Sequence, residues 1–223
     1  MPSISILFFG SSPNSAIVKN ALYKAGYTLV DQPDKADLII SADYGEKLPS
    51  GGLNLHPSLL PKYRGPTPIP YQILNKEKKS GISIIKMTDK FDAGPLIAQE
   101  KITIFPDDTS PNLLKRSFTA GAKLLIKILP DYLNNKITQK KQDESQATYT
   151  HKFSKADGFL PWEKFSFNSS DPKIRALFPW PGVWTILPNN KILKLLPNNL
   201  FQFEGKQPIT FQQFKNGYPH LLK

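Results

Sequence analysis

"SISILFFGSSPNSAIVKNALYKAG", residues 3–26, decides the fold. Its first part is a short uncharged run of branched and aromatic residues, the composition of a strand buried in a parallel sheet. The second part carries helix punctuation: Ser12 stands where an N-cap belongs, Pro13 occupies the first helical position and Gly26 supplies the stop. A strand that feeds a helix through a Gly-Ser turn is a βα unit, and it predicts an α/β sheet of Rossmann type. The turn holds a single glycine, Gly10, so no dinucleotide fingerprint accompanies it.

Further strands are expected at "YTLV" (27–30) and "ADLIISA" (36–42), separated by the polar loop "DQPDK". "GGLNLHP" (51–57) reads as another, and "PIPYQILNK" (68–76) starts a helix beyond it. "GISIIKM" (81–87) and "LIAQEKITI" (96–104) form two strands around the turn "TDKFDAGP" (88–95). The longest helix begins within "DTSPNLLKRSFTAGAKLLIKILP" (108–130), where Thr109 or Ser110 caps and Pro111 opens it. Its apolar stripe is read as Leu114, Phe118, Ala122, Leu125 and Leu129, ending before Pro130. "NNKITQKKQDESQ" (134–146) is polar and reads as the exit from a main domain. Beyond it, "IRALFPWPGVWTI" (174–186) and "KILKLL" (191–196) read as short β-like runs rich in aromatics and prolines.

Composition bounds the function. The 223 residues can bury a substantial core. With no cysteine, disulfides, thiolate catalysis and cysteine metal sites are excluded. The net charge is +11, and residues 151–223 carry 10 Lys and Arg against 4 Asp and Glu, so the C-terminal part is the more basic per residue. Such an excess suits either an anionic polymer or a solvated lysine-rich surface. The opening residues lack the basic start of a secretion signal, and no run approaches the ~20 apolar residues of a membrane span. A cytoplasmic protein with no membrane contact is expected.

"NLHPSLLPKYRG" (54–65) carries the chemistry. Strand alternation puts Asn54 and His56 on one face while Leu53 and Leu55 point into the core. The two polar side chains project from the C-terminal end of the strand, where open α/β sheets build ligand crevices. An amide N–H and an imidazolium N–H could together hold an oxyanion. Read alone, Asn54 could equally cap the strand end and His56 be a satisfied, half-buried histidine. Five prolines, Pro57, Pro61, Pro66, Pro68 and Pro70, fix the loop beyond the strand. Asp92, in "FDAGP", sits in a bend from which a carboxylate can be aimed back across the sheet end, although aspartate is also common in ordinary turns. Aimed so, it would favour the charged ring and relay a proton. Arg64 is a candidate substrate contact, or a partner for a loop carbonyl or carboxylate.

"NLHPSLLPKYRG" followed by "FDAGPLI" resembles the folate-dependent formyltransferase family, with its N-x-H-x-S-L-L-P-x-x-x-G signature and downstream D-x-G turn. The resemblance implies that Asn54, His56 and Asp92 are the catalytic trio, and that Ser58, Leu59, Leu60 and Pro61 form a wall for the folate. "ADYGEKLP" (42–49) is similar to the family's A-Y-G turn, which adds Tyr44 and Gly45 as cofactor contacts, with Gly10 and Arg64 as substrate contacts. The implied fold is a Rossmann-like catalytic domain with a mainly parallel sheet over 1–150. A linker and an abbreviated, β-rich, barrel-derived region would follow over 151–223.

"ATYTHKFSKADGFLPW" (147–162), "IRALFPWPGVWT" (174–185) and "EGKQPITFQQFKNGY" (204–218) resemble the branch of the family that formylates the α-amine of methionyl-tRNA. There Trp162, Trp180 and Trp184 are expected in interdomain packing. The intervals between the first helix and "ADLIISA", and between "WTIL" and "KILKLL", are shorter than in that branch. The implied reaction is direct transfer from 10-formyltetrahydrofolate to aminoacylated initiator tRNA through an oxyanion intermediate, with no metal, by a monomer. The alternatives are an amino sugar nucleotide or water as acceptor, and a reduced tRNA-binding relative without turnover.

Overall fold

The computed structural model describes residues 4–164 and 171–221. Residues 1–3, 165–170 and 222–223, which fall within the expected 1–150 and 151–223 regions, lie outside the described residues. The opening βα unit forms as read: β1 (Ser5–Phe9) leads into α1 (Pro13–Lys24). Ser12 Oγ accepts the Ser15 N–H at 3.0 Å, filling one of the helix's orphan donors. β2 (Thr28–Val30) and β3 (Leu38–Ala42) then flank β1 on either side, both parallel to it. Val30 pairs with Leu7 and Leu38 with Ile6, so the link between them retreats a single rung, and one short 3-10 turn, Pro33–Lys35, suffices for it.

β4 (Leu53–His56) adds parallel to β3 and is followed by α2 (Pro68–Leu74). β5 (Lys79–Lys86) and β6 (Leu96–Thr103) complete a six-stranded sheet of order β2-β1-β3-β4-β5-β6. β5 runs antiparallel to both neighbours, so the sheet is mixed, and the β5–β6 turn emerges beside β4.

α3 (Ser110–Leu133) covers this sheet and departs from the reading twice. Leu113, Phe118, Ala122, Leu125 and Leu129 form the buried face, and Leu114 is only half-buried. The helix also runs through Pro130. A proline in the last turn removes one hydrogen bond. Asn134 closes the end with backbone and side-chain donors to Pro130 O at 3.2 and 2.8 Å, while Tyr132 and Leu133 pack on the core.

The C-terminal region contains α4 (Pro172–Leu177), β7 (Val183–Ile186), β8 (Ile192–Leu196), β9 (Leu200–Phe203), β10 (Ile209–Thr210) and α5 (Phe211–Gly217). The four strands form an antiparallel sheet whose core includes Leu193, Leu195, Phe201, Phe203 and Phe214. "IRAL" is helical rather than β-like: Asp171 caps α4 through the Lys173 N–H at 2.8 Å. α4 turns Ile174 and Leu177 to the small sheet and Ala176 to Ile69, Ile73 and Leu113. Among the tryptophans, Trp162 packs on the C-terminal core and Trp184 donates to Lys155 O at 3.1 Å, but Trp180 is 63% exposed rather than packed between regions. It stands in a Phe-Pro-Trp-Pro run with two cis X-Pro bonds, at the turn into β7.

The polar stretch 134–146 runs back along the main sheet: Lys140 pairs with Leu96 at the start of β6, and beyond the stretch residues 148–150 pair with Arg64.

Candidate active site

Strand alternation explains the first half of the site. Leu53 and Leu55 are buried in the main core, so Asn54 and His56 point together to the other side. Ser41, on neighbouring β3, donates its hydroxyl to Asn54 Oδ1 at 2.6 Å. That bond occupies the amide oxygen and turns Nδ2 toward the β5–β6 turn, where it lies 3.4 Å from Asp92 Oδ1. His56 Nε2 is 2.8 Å from the Tyr63 carbonyl. A carbonyl only accepts, so Nε2 carries a proton. His56 Nδ1 faces the same carboxylate oxygen, Asp92 Oδ1, at 3.4 Å. The second carboxylate oxygen accepts the Gly65 N–H at 2.8 Å. Among the described residues, no group of three or more His, Asp or Glu is gathered for a metal.

Two turns need unusual backbone to make this meeting. Asp92 sits at φ 53° and Tyr63 at φ 62°, both in the left-handed region. Position 94 takes glycine because a Cβ there would lie 1.8 Å from Lys86 O. Gly65, at φ 106°, would press a Cβ to 2.6 Å from Thr150 O. Tyr63 is held at both ends: its N–H donates to Thr148 Oγ1 at 2.8 Å, and its phenol donates to Glu77 at 2.7 Å. Burial, with Glu77 alongside, keeps that phenol above its ordinary pKa and therefore a donor.

The trio forms one wall of a cavity of about 470 Å³, within the range of small-molecule sites. Ile85, Met87 and Phe91 give it apolar surface, and its charged lining is mixed, with Lys47, Lys90 and Lys152 beside Asp43, Glu46 and Asp89. The volume, the apolar wall and the adjacent donors fit a ring-bearing acyl donor such as a formylated folate. A model of the formyl transferase family matches residues 22–129. The chain is 34% identical over 228 residues to methionyl-tRNA formyltransferase of Dictyoglomus thermophilum, covering 82% of this chain and 72% of that protein.

This chain belongs to the formyl transferase family. Methionyl-tRNA formyltransferase of Listeria monocytogenes is 37% identical over 164 residues, covering 69% of this chain and 51% of that protein. The chain thus spans 51% to 72% of the length of these two relatives. The fold is shared with WlaRD, a sugar 3N-formyltransferase whose crystal structure was obtained in the presence of dTDP and 5-N-formyl-THF: the TM-score is 0.65 at 18% identity, covering 93% of this chain and 100% of that one.

In this chain Asn54, His56 and Asp92 are brought together, and Tyr44 and Gly45 line the cavity with them. Ser58, Leu59, Leu60 and Pro61 are not in the lining. They turn to β5 and β6: Ser83 donates to Ser58 O at 2.6 Å and accepts the Leu60 N–H at 3.1 Å, while Leu59 lies over Gly81. The apolar side chains of this proline loop pack on β5, and Leu60 meets Ile85, which lines the cavity where Leu60 does not. Gly10, in the β1–α1 turn, is likewise outside the lining.

Arg64 is occupied by the protein itself. It is 2% exposed, and its two terminal nitrogens reach both carboxylate oxygens of Glu144 at 2.8 and 2.9 Å. Nε and Nη2 donate to Gln142 Oε1 at 3.2 and 2.8 Å, and Nη1 reaches the Tyr149 hydroxyl at 3.3 Å. The bond to Glu144 raises the guanidinium's pKa and holds the Glu144 carboxyl below its ordinary value. Sequence reasoning missed Ser41, Tyr63, Gln142 and Thr148 as members of the site's frame. For Gln142 the one signal was that the polar stretch 134–146 had no apolar period of its own and needed a partner surface.

Proposed function

We propose that this formyltransferase moves a formyl group from 10-formyltetrahydrofolate to the α-amine of methionyl-tRNA. The observation that carries this reading is the shared carboxylate oxygen, Asp92 Oδ1, 3.4 Å from both Asn54 Nδ2 and His56 Nδ1 at the wall of the cavity. With its ring protonated, His56 donates from Nδ1 as Asn54 does from Nδ2, and two donors aimed at one point can hold the oxygen of a carbonyl under attack, where negative charge develops. The new bond joins the amine nitrogen to the formyl carbon, and the bond from that carbon to the folate nitrogen breaks. Asp92 orients the ring and takes the proton the amine sheds, and the departing folate nitrogen regains one. Tyr44 and Gly45 would border the folate. The relatives' names and the +11 charge favour tRNA as the acceptor. The reading makes the protein a cytoplasmic monomer.

The test is incubation of purified protein with 10-formyltetrahydrofolate and charged initiator tRNA, reading formylmethionine. Its appearance, with a rate that falls steeply as salt rises, supports the proposal. Salt-insensitive transfer to an amino sugar nucleotide alone would replace the acceptor, and formate release without any amine would replace transfer by hydrolysis. Folate binding with no transfer at all would leave a reduced binding protein.

A further inference from the structure

Gln142 lies in the segment that returns to the sheet and is 4% exposed. It does not line the cavity. Its amide nitrogen donates to two backbone carbonyls of the Asp92 turn, Asp92 O at 2.8 Å and Gly94 O at 2.6 Å. Its amide oxygen accepts twice from Arg64, at 3.2 and 2.8 Å. All the hydrogen-bonding capacity of the amide is therefore spent on these two neighbours.

Those neighbours lead to opposite halves of the trio. Arg64 belongs to the loop whose Tyr63 carbonyl holds His56 Nε2 and whose Gly65 N–H holds Asp92 Oδ2. Asp92 and Gly94 are the turn that presents the carboxylate, with Asp92 in the left-handed region at φ 53°. One side chain thus fastens the carboxylate's turn to the imidazole's loop from behind. A turn held in a costly conformation relaxes when its pins are removed. The contacts that would suffer first are the long ones, at 3.4 Å.

We propose that Gln142 is a positioning residue that sets the distance between Asp92 and His56. The proposal rests on the reading of Asn54, His56 and Asp92 as the catalytic trio. Replacement by leucine keeps the bulk and removes every bond. Q142L is expected to melt as a folded protein, to lose on the order of 10- to 100-fold in kcat, and to keep KM for the folate donor within about twofold. Q142E retains the acceptor for Arg64 but strips the two donated bonds, so it carries the same expectation and serves where Q142L does not fold.

A second readout needs no turnover. The chain has three histidines, and the His56 ring signals can be assigned in an NMR spectrum by comparison with His56→Gln. At fixed pH, Q142L should move those signals in the same direction as Asp92→Asn, even if the wild-type protein transfers no formyl group. His56 signals of Q142L that superimpose on wild type overturn the proposal, as does a folded Q142L with kcat within about twofold of wild type in an active enzyme. Loss of the fold in both variants would make Gln142 a stability residue and would equally overturn it.

Discussion

Two polar clusters lie back to back in this protein, and their bond lengths differ. Around Arg64 the contacts to Glu144 and Gln142 run from 2.8 to 3.2 Å, and the guanidinium spends its donors on a carboxylate fork and a buried amide oxygen. Around Asp92 Oδ1 the contacts from Asn54 and His56 are both 3.4 Å, at the limit of a hydrogen bond. The tight cluster faces the returning segment, and the loose one faces the cavity. On the proposed reading, the groups that bond to substrate are left with capacity to do so, while those that hold the frame spend theirs on one another.

The contrast is broken most severely at the loose cluster. Asn54→Ala and His56→Ala are each expected to lower formyl transfer on the order of 100-fold or more, measured as kcat, with melting temperature little changed. An equal loss of stability would erase the distinction between the clusters. Arg64→Ala should do the reverse in kind: about 3 kcal/mol of stability is lost in denaturant titration, because Gln142 and the Tyr149 hydroxyl lose a buried charged partner.

Gly65→Ala joins the two effects. It forces a Cβ onto Thr150 O at a φ that favours glycine, costing about 1–2 kcal/mol by the same titration, and shifts the N–H that holds Asp92 Oδ2. Glu144→Gln is the mildest and sharpens the comparison through pH. The Glu144 carboxyl is held below its ordinary pKa by Arg64. Its contribution is therefore present above the ordinary carboxylate range and is lost as pH falls through the lowered value. Thermal melts should show wild type above Glu144→Gln at neutral pH, with the gap closing as the solution is acidified into that range.

The legible parts of the molecule were those governed by local rules. The Ser12-Pro13 start of α1 and the alternation that pairs Asn54 with His56 follow from neighbours in sequence. Asp92 was identified by its turn and by resemblance, and the structure brings it to the ring. Other features depended on what packs from a distance. α3 continues past Pro130 because Tyr132 and Leu133 find the core, and "IRAL" becomes helical because α4 serves two apolar surfaces at once. Whether Arg64 met substrate or paired within the protein stayed open because Gln142 and Glu144 are far along the chain. The expectation that residues 58–61 border the folate came from the resemblance, and nothing local shows that the loop packs on Ser83 and Gly81.

The most direct measurement is a pair of readings on Asp92→Asn, which keeps the shape of the side chain and removes its charge. If the loose cluster is the chemical one, formyl transfer falls on the order of 100-fold or more while the melting temperature stays close to wild type. Transfer retained within about threefold of wild type would contradict the account.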